Sequence, residues 1–474
     1  MAGHSRSFDP LYPDQVAVVL GRGELAKIEV ALMKRGGLNK NDFRHRVDRR
    51  NLGLSRWDGR HRQERYTTMR RTLPVLCVFA LIAVSEAQST PEDSLAFKTP
   101  TVKGSLDGPR TPIFVSPQDS CNQNDVPDAM ARAFRDYTGT VHLSTASSQL
   151  FQSLGPTLDT VEHSCDVAYS SQNDTNPADF NDQAWLDSFY TVDGKNIAVL
   201  AHTEYHGWAI PGECNIQGNN QYGACEYDSD TFHFSRDGGY HFHTPKVPNN
   251  FLAGFPYPYV IDDGPMGYSV DTNIVKYGGW FYAVATDYNW PPNCSGETGP
   301  NACLVPYGGA PIRTRDVFEP RSWRSWSGKD FSVSFVDPYA GPVVHPEEHV
   351  YTPVPYMAYV NAINIYQPLN VVVATLWDYW DDTLGPPGMY LTTSTDLVHW
   401  TSPTLVVALS DLLSEDPKGS WLYVYFSLID PDAPDLNFSV IGDHPYLYYV
   451  RLDNNSQNRV LFRRRVSITS TTAE

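Results

Sequence analysis

The chain has 474 residues, 41% of them hydrophobic and 13% aromatic, which is enough to bury a large core and too apolar for wholesale disorder. Its charge is split: residues 1–87 hold 16 basic and 9 acidic side chains, whereas residues 88–474 hold 20 basic and 45 acidic. An acidic main body argues against nucleic acid and anionic membranes as partners, because both need a positive field, and it suits a soluble protein that handles neutral substrates.

Residues 1–68 are basic and poor in strand pattern. They read as an extension that is not translated, not ordered or removed. The segment from Met69 to Ser89 has the parts of a secretion signal: Arg70 and Arg71, an apolar run from Leu73 to Val84, and small residues ending at Ala87. That run is about 12 residues, too short to span a bilayer; the competing reading is a buried hydrophobic strand or helix. Residues 69–87 are thus expected to be a signal peptide, and the protein to be extracellular with no membrane contact after its removal. Residues 88–112 read as a linker, and 113–470 as the folded domain.

The part beyond the signal holds six cysteines, Cys121, Cys165, Cys214, Cys225, Cys294 and Cys303. An even count in an export context predicts three disulfides. The simplest of the fifteen pairings joins Cys214 to Cys225, Cys294 to Cys303 and Cys121 to Cys165. No paired CxxC spacing of a structural zinc site occurs. Four glycosylation sequons, at Asn173, Asn293, Asn437 and Asn454, point the same way.

One unit recurs along 113–470: Asp or Asn, a short apolar stretch, a Gly-containing turn, and a β-rich strand. Its copies begin at Asp128, Asp187 and Asp271, with a degenerate copy at Asn361. Asp193-Gly194 and Gly278-Gly279 supply hairpin turns that need positive φ. A second unit, Ser/Thr-x-Asp followed by an aromatic, occurs at Ser235–Asp237, Thr314–Asp316 and Ser394–Asp396. Its hydroxyl and carboxylate can bond the backbone of a tight turn. Inner strands and outer hairpins alternating every 60–90 residues or so indicate an all-β, five-bladed β-propeller, with Trp421–Ile429 and Pro445–Leu452 in the last blade. A β-sandwich is the structural alternative, without the blade-sized repeat.

A propeller funnels polar residues at the starts of its inner strands, here Asp128, Asp187, Asp271 and Asn361, towards one central cavity. Two or three carboxylates around such a ring is what glycoside hydrolysis needs: one protonated to donate to the leaving oxygen, one ionised to activate water or attack the anomeric carbon. The inner-strand pattern and the turn Ser394-Thr-Asp-Leu-Val-His-Trp400 resemble five-bladed glycoside hydrolases of the family 43 type and their furanosidase relatives. That resemblance implies hydrolysis of a polysaccharide or oligosaccharide, and it matches Asp128 to the first-blade base. The chain departs from the family's order of Asp, Asp and Glu, because its clearest glutamate, Glu204, follows the second-blade strand.

The segment His202-Thr-Glu204-Tyr205-His206-Gly207 places residues 202, 204 and 206 on one strand face. It reads as a general acid flanked by two tuning histidines, as a His/Glu/His metal site, or as a polar strand end. The expected catalytic set is Asp128 as base, Glu204 as acid and Asp271 as tuning group. His202, Tyr205, His206, Trp208 and Asp263 are expected to bind substrate. No cofactor and no metal are expected, and the protein is expected to be a monomer. The rival from another class is a non-catalytic, lectin-like propeller that binds carbohydrate or protein. A sialidase would need three converging arginines, and Arg132 and Arg135 lie on one blade. P-loop, Rossmann, GxSxG and HExxH motifs are absent.

Overall fold

A computed structural model describes residues 99–218, 221–262, 264, 266–270, 272–287, 308–379, 383–453 and 458–471. Asp263, Asp271, Cys294, Cys303 and the whole of 1–87 lie outside them. The described residues belong to one compact unit, Phe97–Glu474.

Strand β1 (Thr101–Val115) comes first but belongs to the last blade. Blade 1 is β2 (Ala131–Arg135), β3 (Val141–Thr145), β4 (Gln149–Gly155) and β5 (Glu162–Ser170), paired in that order. Blade 2 is β6 (Gln183–Thr191), β7 (Ile197–His206), β8 (Glu226–Ser235) and the short β9 (Phe251–Ala253). Blade 3 has an inner edge in two pieces, β10 (Met266–Val270) and β11 (Val275–Tyr277), both paired with β12 (Trp280–Asp287). It continues through β13 (Gly309–Thr314), β14 (Arg324–Ser325) and β15 (Val333–Ser334). Blade 4 is β16 (Val360–Tyr366), β17 (Val371–Asp378), β18 (Gly388–Ser394) and β19 (Thr404–Ala408). Blade 5 starts with β20 (Trp421–Ile429). After β21 (Val440–Ile441), which pairs back onto β16, it continues with β22 (Tyr446–Asp453) and β23 (Arg459–Thr471) and takes β1 as its outer strand. The chain is therefore a five-bladed β-propeller.

The middle strands are apolar on both faces because each blade is covered on both sides. Alternate residues serve the two neighbours. Val199 and Ala201 join Phe134 and Leu150 between blades 1 and 2, while Leu200 joins Phe232, Tyr268 and Ile312 between blades 2 and 3. Val372 meets Ile363, Val275 and Val284 between blades 3 and 4, and Val373 meets Leu391, Tyr423 and Tyr449 between blades 4 and 5. Tyr448 and Val450 pack with Phe114, Val141 and Leu143, closing blade 5 onto blade 1. Five clusters fill five interfaces, so the ring is closed.

Both repeated sequence units have a structural counterpart. In the outer turns, Ser235 Oγ donates to Asp237, which accepts from the amides of Tyr240 and His241. Ser394 and Asp396 repeat this with the amides of Val398 and His399. Asp316 accepts the Phe318 amide and bonds back to Thr314. On the inner strands, the ladder slips at Asp187 between Leu186 and Ser188, and at Asn361 between Val360 and Ala362. It slips again between Val424 and Ser427, where Tyr425 has φ 61°. A bulge re-aims a side chain and leaves backbone groups without ladder partners, and here it recurs on the first strands of blades 2, 4 and 5.

Two expectations are corrected, and a third is met as far as the described residues reach. Residues 101–112 are not linker, because β1 is a full strand of blade 5, held by Arg110 Nη2 on Asp416 at 2.7 Å. Two of the expected disulfides are present, Cys121–Cys165 and Cys214–Cys225, and the third lies outside the described residues. Among the sequons, Asn173 is exposed, but Asn437 is buried. Its amide gives Nδ2 to the Thr191 carbonyl at 2.9 Å and takes the Thr191 amide at 2.7 Å. That amide is an inter-blade clamp, not a glycan anchor in the folded chain.

Candidate active site

At the axis, Arg132 on β2 ties the blades together. Its Nε donates to the Asp187 carbonyl at 3.0 Å and its Nη2 to the Asn361 carbonyl at 2.9 Å. These are carbonyls at the bulges of blades 2 and 4, and a buried guanidinium fork meets backbone groups that the ladder has released. Asn361 in turn accepts the Phe426 amide at 3.0 Å through its side chain.

Asp128 precedes β2, and its amide bonds to the Ala146 carbonyl. Its carboxylate accepts from Arg459 Nη1, at the start of β23, and from the Tyr425 hydroxyl at 3.1 Å. Arg459 is 3% exposed, so the Asp128 carboxyl faces a buried guanidinium. Burial pushes the Tyr425 phenol well above its usual pKa, and the charges of Asp128 and Glu204 push the same way. Neighbouring Asp125 serves the loop instead. It accepts the Cys121 amide and meets His163 Nε2 at 2.8 Å, fixing the turn by the disulfide.

On β7, His202, Glu204 and His206 share a face. His206 Nε2 lies 2.6 Å from Glu204 Oε2, and His202 Nε2 lies 3.8 Å from Oε1. Burial pushes the Glu204 pKa up, but the His206 hydrogen bond and the two imidazole charges outweigh it and hold the carboxyl below its usual range. Burial opposes a proton on His202, yet Asp228 and Glu204 raise its pKa well above the usual value. The His206 amide is fixed by Asp182 at 2.9 Å. The Trp185 ring stands 6.0 Å from His202 and 6.3 Å from His206, and Trp208 stacks on His206 at 4.6 Å. The Glu204 side chain is 21% exposed, so it can touch a ligand.

Tyr205, expected to bind substrate, points the other way. It is buried against Tyr259 at 4.9 Å and donates to the Thr175 carbonyl. Asp263 and Asp271 fall outside the described residues.

Sequence reasoning missed the opposite strand. In the β7–β8 register His206, Glu204 and His202 face Glu226, Asp228 and Asp230, and directly paired residues share a face. Asp228 is fully buried, and neither of its oxygens has a hydrogen-bond partner among the described residues; His202 Nε2 is 3.7 Å away. Burial pushes its pKa to about 6. The signal was legible: acids at alternate positions, Glu226-Tyr-Asp228-Ser-Asp230, on a strand. The ligand atoms of Glu204, His206 and Glu226 lie within 4.8 Å of one another, which suits a cation.

No protein-family model matches the sequence, and no curated protein matches it. Solved structures are distantly similar. An α-L-arabinanase of Cellvibrio cellulosa is 10% identical, covering 73% of this chain and 91% of that one, with a TM-score of 0.36. A GH43 β-xylosidase/α-arabinofuranosidase from a compost microbial metagenome, solved with xylotriose, is 9% identical over 77% and 96% of the two chains, with a TM-score of 0.34. An ulvan lyase of a new polysaccharide lyase family is 10% identical over 70% and 68%, with a TM-score of 0.31. The five blades of this chain are defined by its own strand pairing.

Proposed function

We propose that the chain is a secreted glycoside hydrolase acting on a neutral polysaccharide or oligosaccharide at the axis of the propeller. The observation that carries this reading is a partly exposed Glu204, 2.6 Å from His206 and flanked through its two histidines by Trp185 and Trp208, in a five-bladed propeller whose first blade presents Asp128 against Arg459. Sugar rings present apolar C–H faces that stack on such indoles.

In this reading Asp128 takes a proton from water as the resulting hydroxyl adds to the anomeric carbon and the glycosidic C–O bond breaks. The leaving oxygen takes a proton from the Glu204–His206 pair. The 2.6 Å contact between Glu204 and His206 lets the two groups share that proton. Asp271 remains the proposed tuning group. Export is supported by the two disulfides; among the described residues no helix is long and apolar enough to cross a membrane.

Glu204→Gln and Asp128→Asn should each cut release of reducing ends from a panel of neutral polysaccharides by at least about 10²-fold, with unchanged far-UV circular dichroism. An active Glu204→Gln protein removes Glu204 from proton transfer. A second reading has its own observation: Asp128 is already engaged by Arg459 and Tyr425, as a purely structural aspartate would be. A wild-type chain that binds an oligosaccharide and never turns it over is the lectin-like propeller.

A further inference from the structure

The blade-2 cluster holds more than an acid and its tuning groups. Glu204, His206 and Glu226 each present one ligand atom, all within 4.8 Å of one another. Two of them, Glu204 Oε2 and His206 Nε2, are 2.6 Å apart, from alternate positions on one strand face. Glu226 is placed opposite His206 by the ladder, and the Cys214–Cys225 disulfide ends one residue before it. Asp228 adds a further negative charge beside this set. It is a wholly buried carboxyl on the same face, opposite Glu204, and its oxygens lack hydrogen bonds among the described residues. Three carboxyl groups, Glu204, Glu226 and Asp228, thus stand beside two imidazoles, with His202 3.7 Å from Asp228.

We propose that Glu204, His206 and Glu226 form a binding site for a zinc-class divalent cation, and that the cation switches the hydrolase off. An imidazole and two carboxylates at 2.0–2.2 Å or so suit zinc, whereas calcium and magnesium prefer oxygen ligands alone. Zinc must take the lone pair on His206 Nε2 and an oxygen of Glu204. It therefore occupies the two atoms through which the pair would pass a proton to the leaving oxygen. This second half rests on the hydrolase reading; the binding site does not.

The test titrates the full chain with Zn2+ by calorimetry, follows thermal unfolding with and without the ion, and repeats both on Glu226→Gln and His206→Gln. One ion per chain is expected, with a raised unfolding temperature. Affinity should drop at least about tenfold in each variant. Failure of wild type to bind at about 100 µM Zn2+, or equal binding by the variants, overturns the site. Equally tight binding of Ca2+ overturns the zinc-class assignment. Where turnover is measurable, Zn2+ should abolish it, EDTA should restore it, and Glu226→Gln should resist the inhibition. Bound zinc with unchanged turnover overturns the switch. A chain without turnover leaves the binding result standing and sinks only the hydrolase reading.

Discussion

His233 lies on β8 at 1% exposure, between Thr231 at 2.9 Å and Thr244 at 3.1 Å, with the Tyr169 ring 5.1 Å away. Burial lowers its pKa from 6.5 to about 3. Below pH 6.5 the unfolded chain takes up a proton that the folded chain refuses, so stability falls as the pH drops, until the folded imidazole also titrates near 3. The limiting slope is about 1.4 kcal/mol per pH unit. His233→Gln should lose less unfolding temperature than wild type between neutral pH and mild acid; parallel losses would refute the role of this imidazole. The candidate site was partly legible at this scale. Period two alone put His202, Glu204 and His206 on one face, and the same rule should have turned Tyr205 away. Arg459 was out of reach, because what brings it to Asp128 is ring closure and not local spacing.

Among the elements, β10 is the most tightly constrained. It runs parallel to β8, with Gly267 opposite Asp228. Gly267 has φ 144°, and a Cβ there would collide with the backbone of Asp228. Gly267→Ala should therefore cost about 3 kcal/mol or more. Gly278→Ala is the contrast: its φ is 55°, but no atom lies within 4 Å of the added carbon, so only about 1 kcal/mol is at stake. Denaturant midpoints for the two variants decide the point, and equal losses would contradict the close approach. The repeated Asp/Asn positions told where inner strands lie, because a bulge needs a residue that tolerates leaving the ladder. They did not tell that blade 3's inner edge is split or that β10 pairs with the neighbouring blade, since parallel pairing across blades leaves no period in the sequence.

For the whole molecule, five blades could be counted from the spacing of turns and apolar runs, since each blade must bury both faces. The closing strand could not, because Thr101–Val115 contains Gly104, Gly108, Pro109 and Pro112 and reads as a connector. Its pairing comes from the far end of the chain. A protein starting at residue 116 should lose cooperative unfolding, since it leaves the β23 edge open and removes Val102 and Phe114 from two inter-blade clusters. A chain starting at residue 99 should melt as the full protein does; a cooperative melt of the shorter protein would show that the ring closes without β1. Thr101 pairs with Thr471, so the first of the described strands finds its place only after the last has been made. Through nearly the whole of translation the nascent protein carries a free strand at one end and an open sheet edge at the other. Two nascent chains held close together could exchange those ends, giving a dimer whose blades are each complete and whose strands come from both copies.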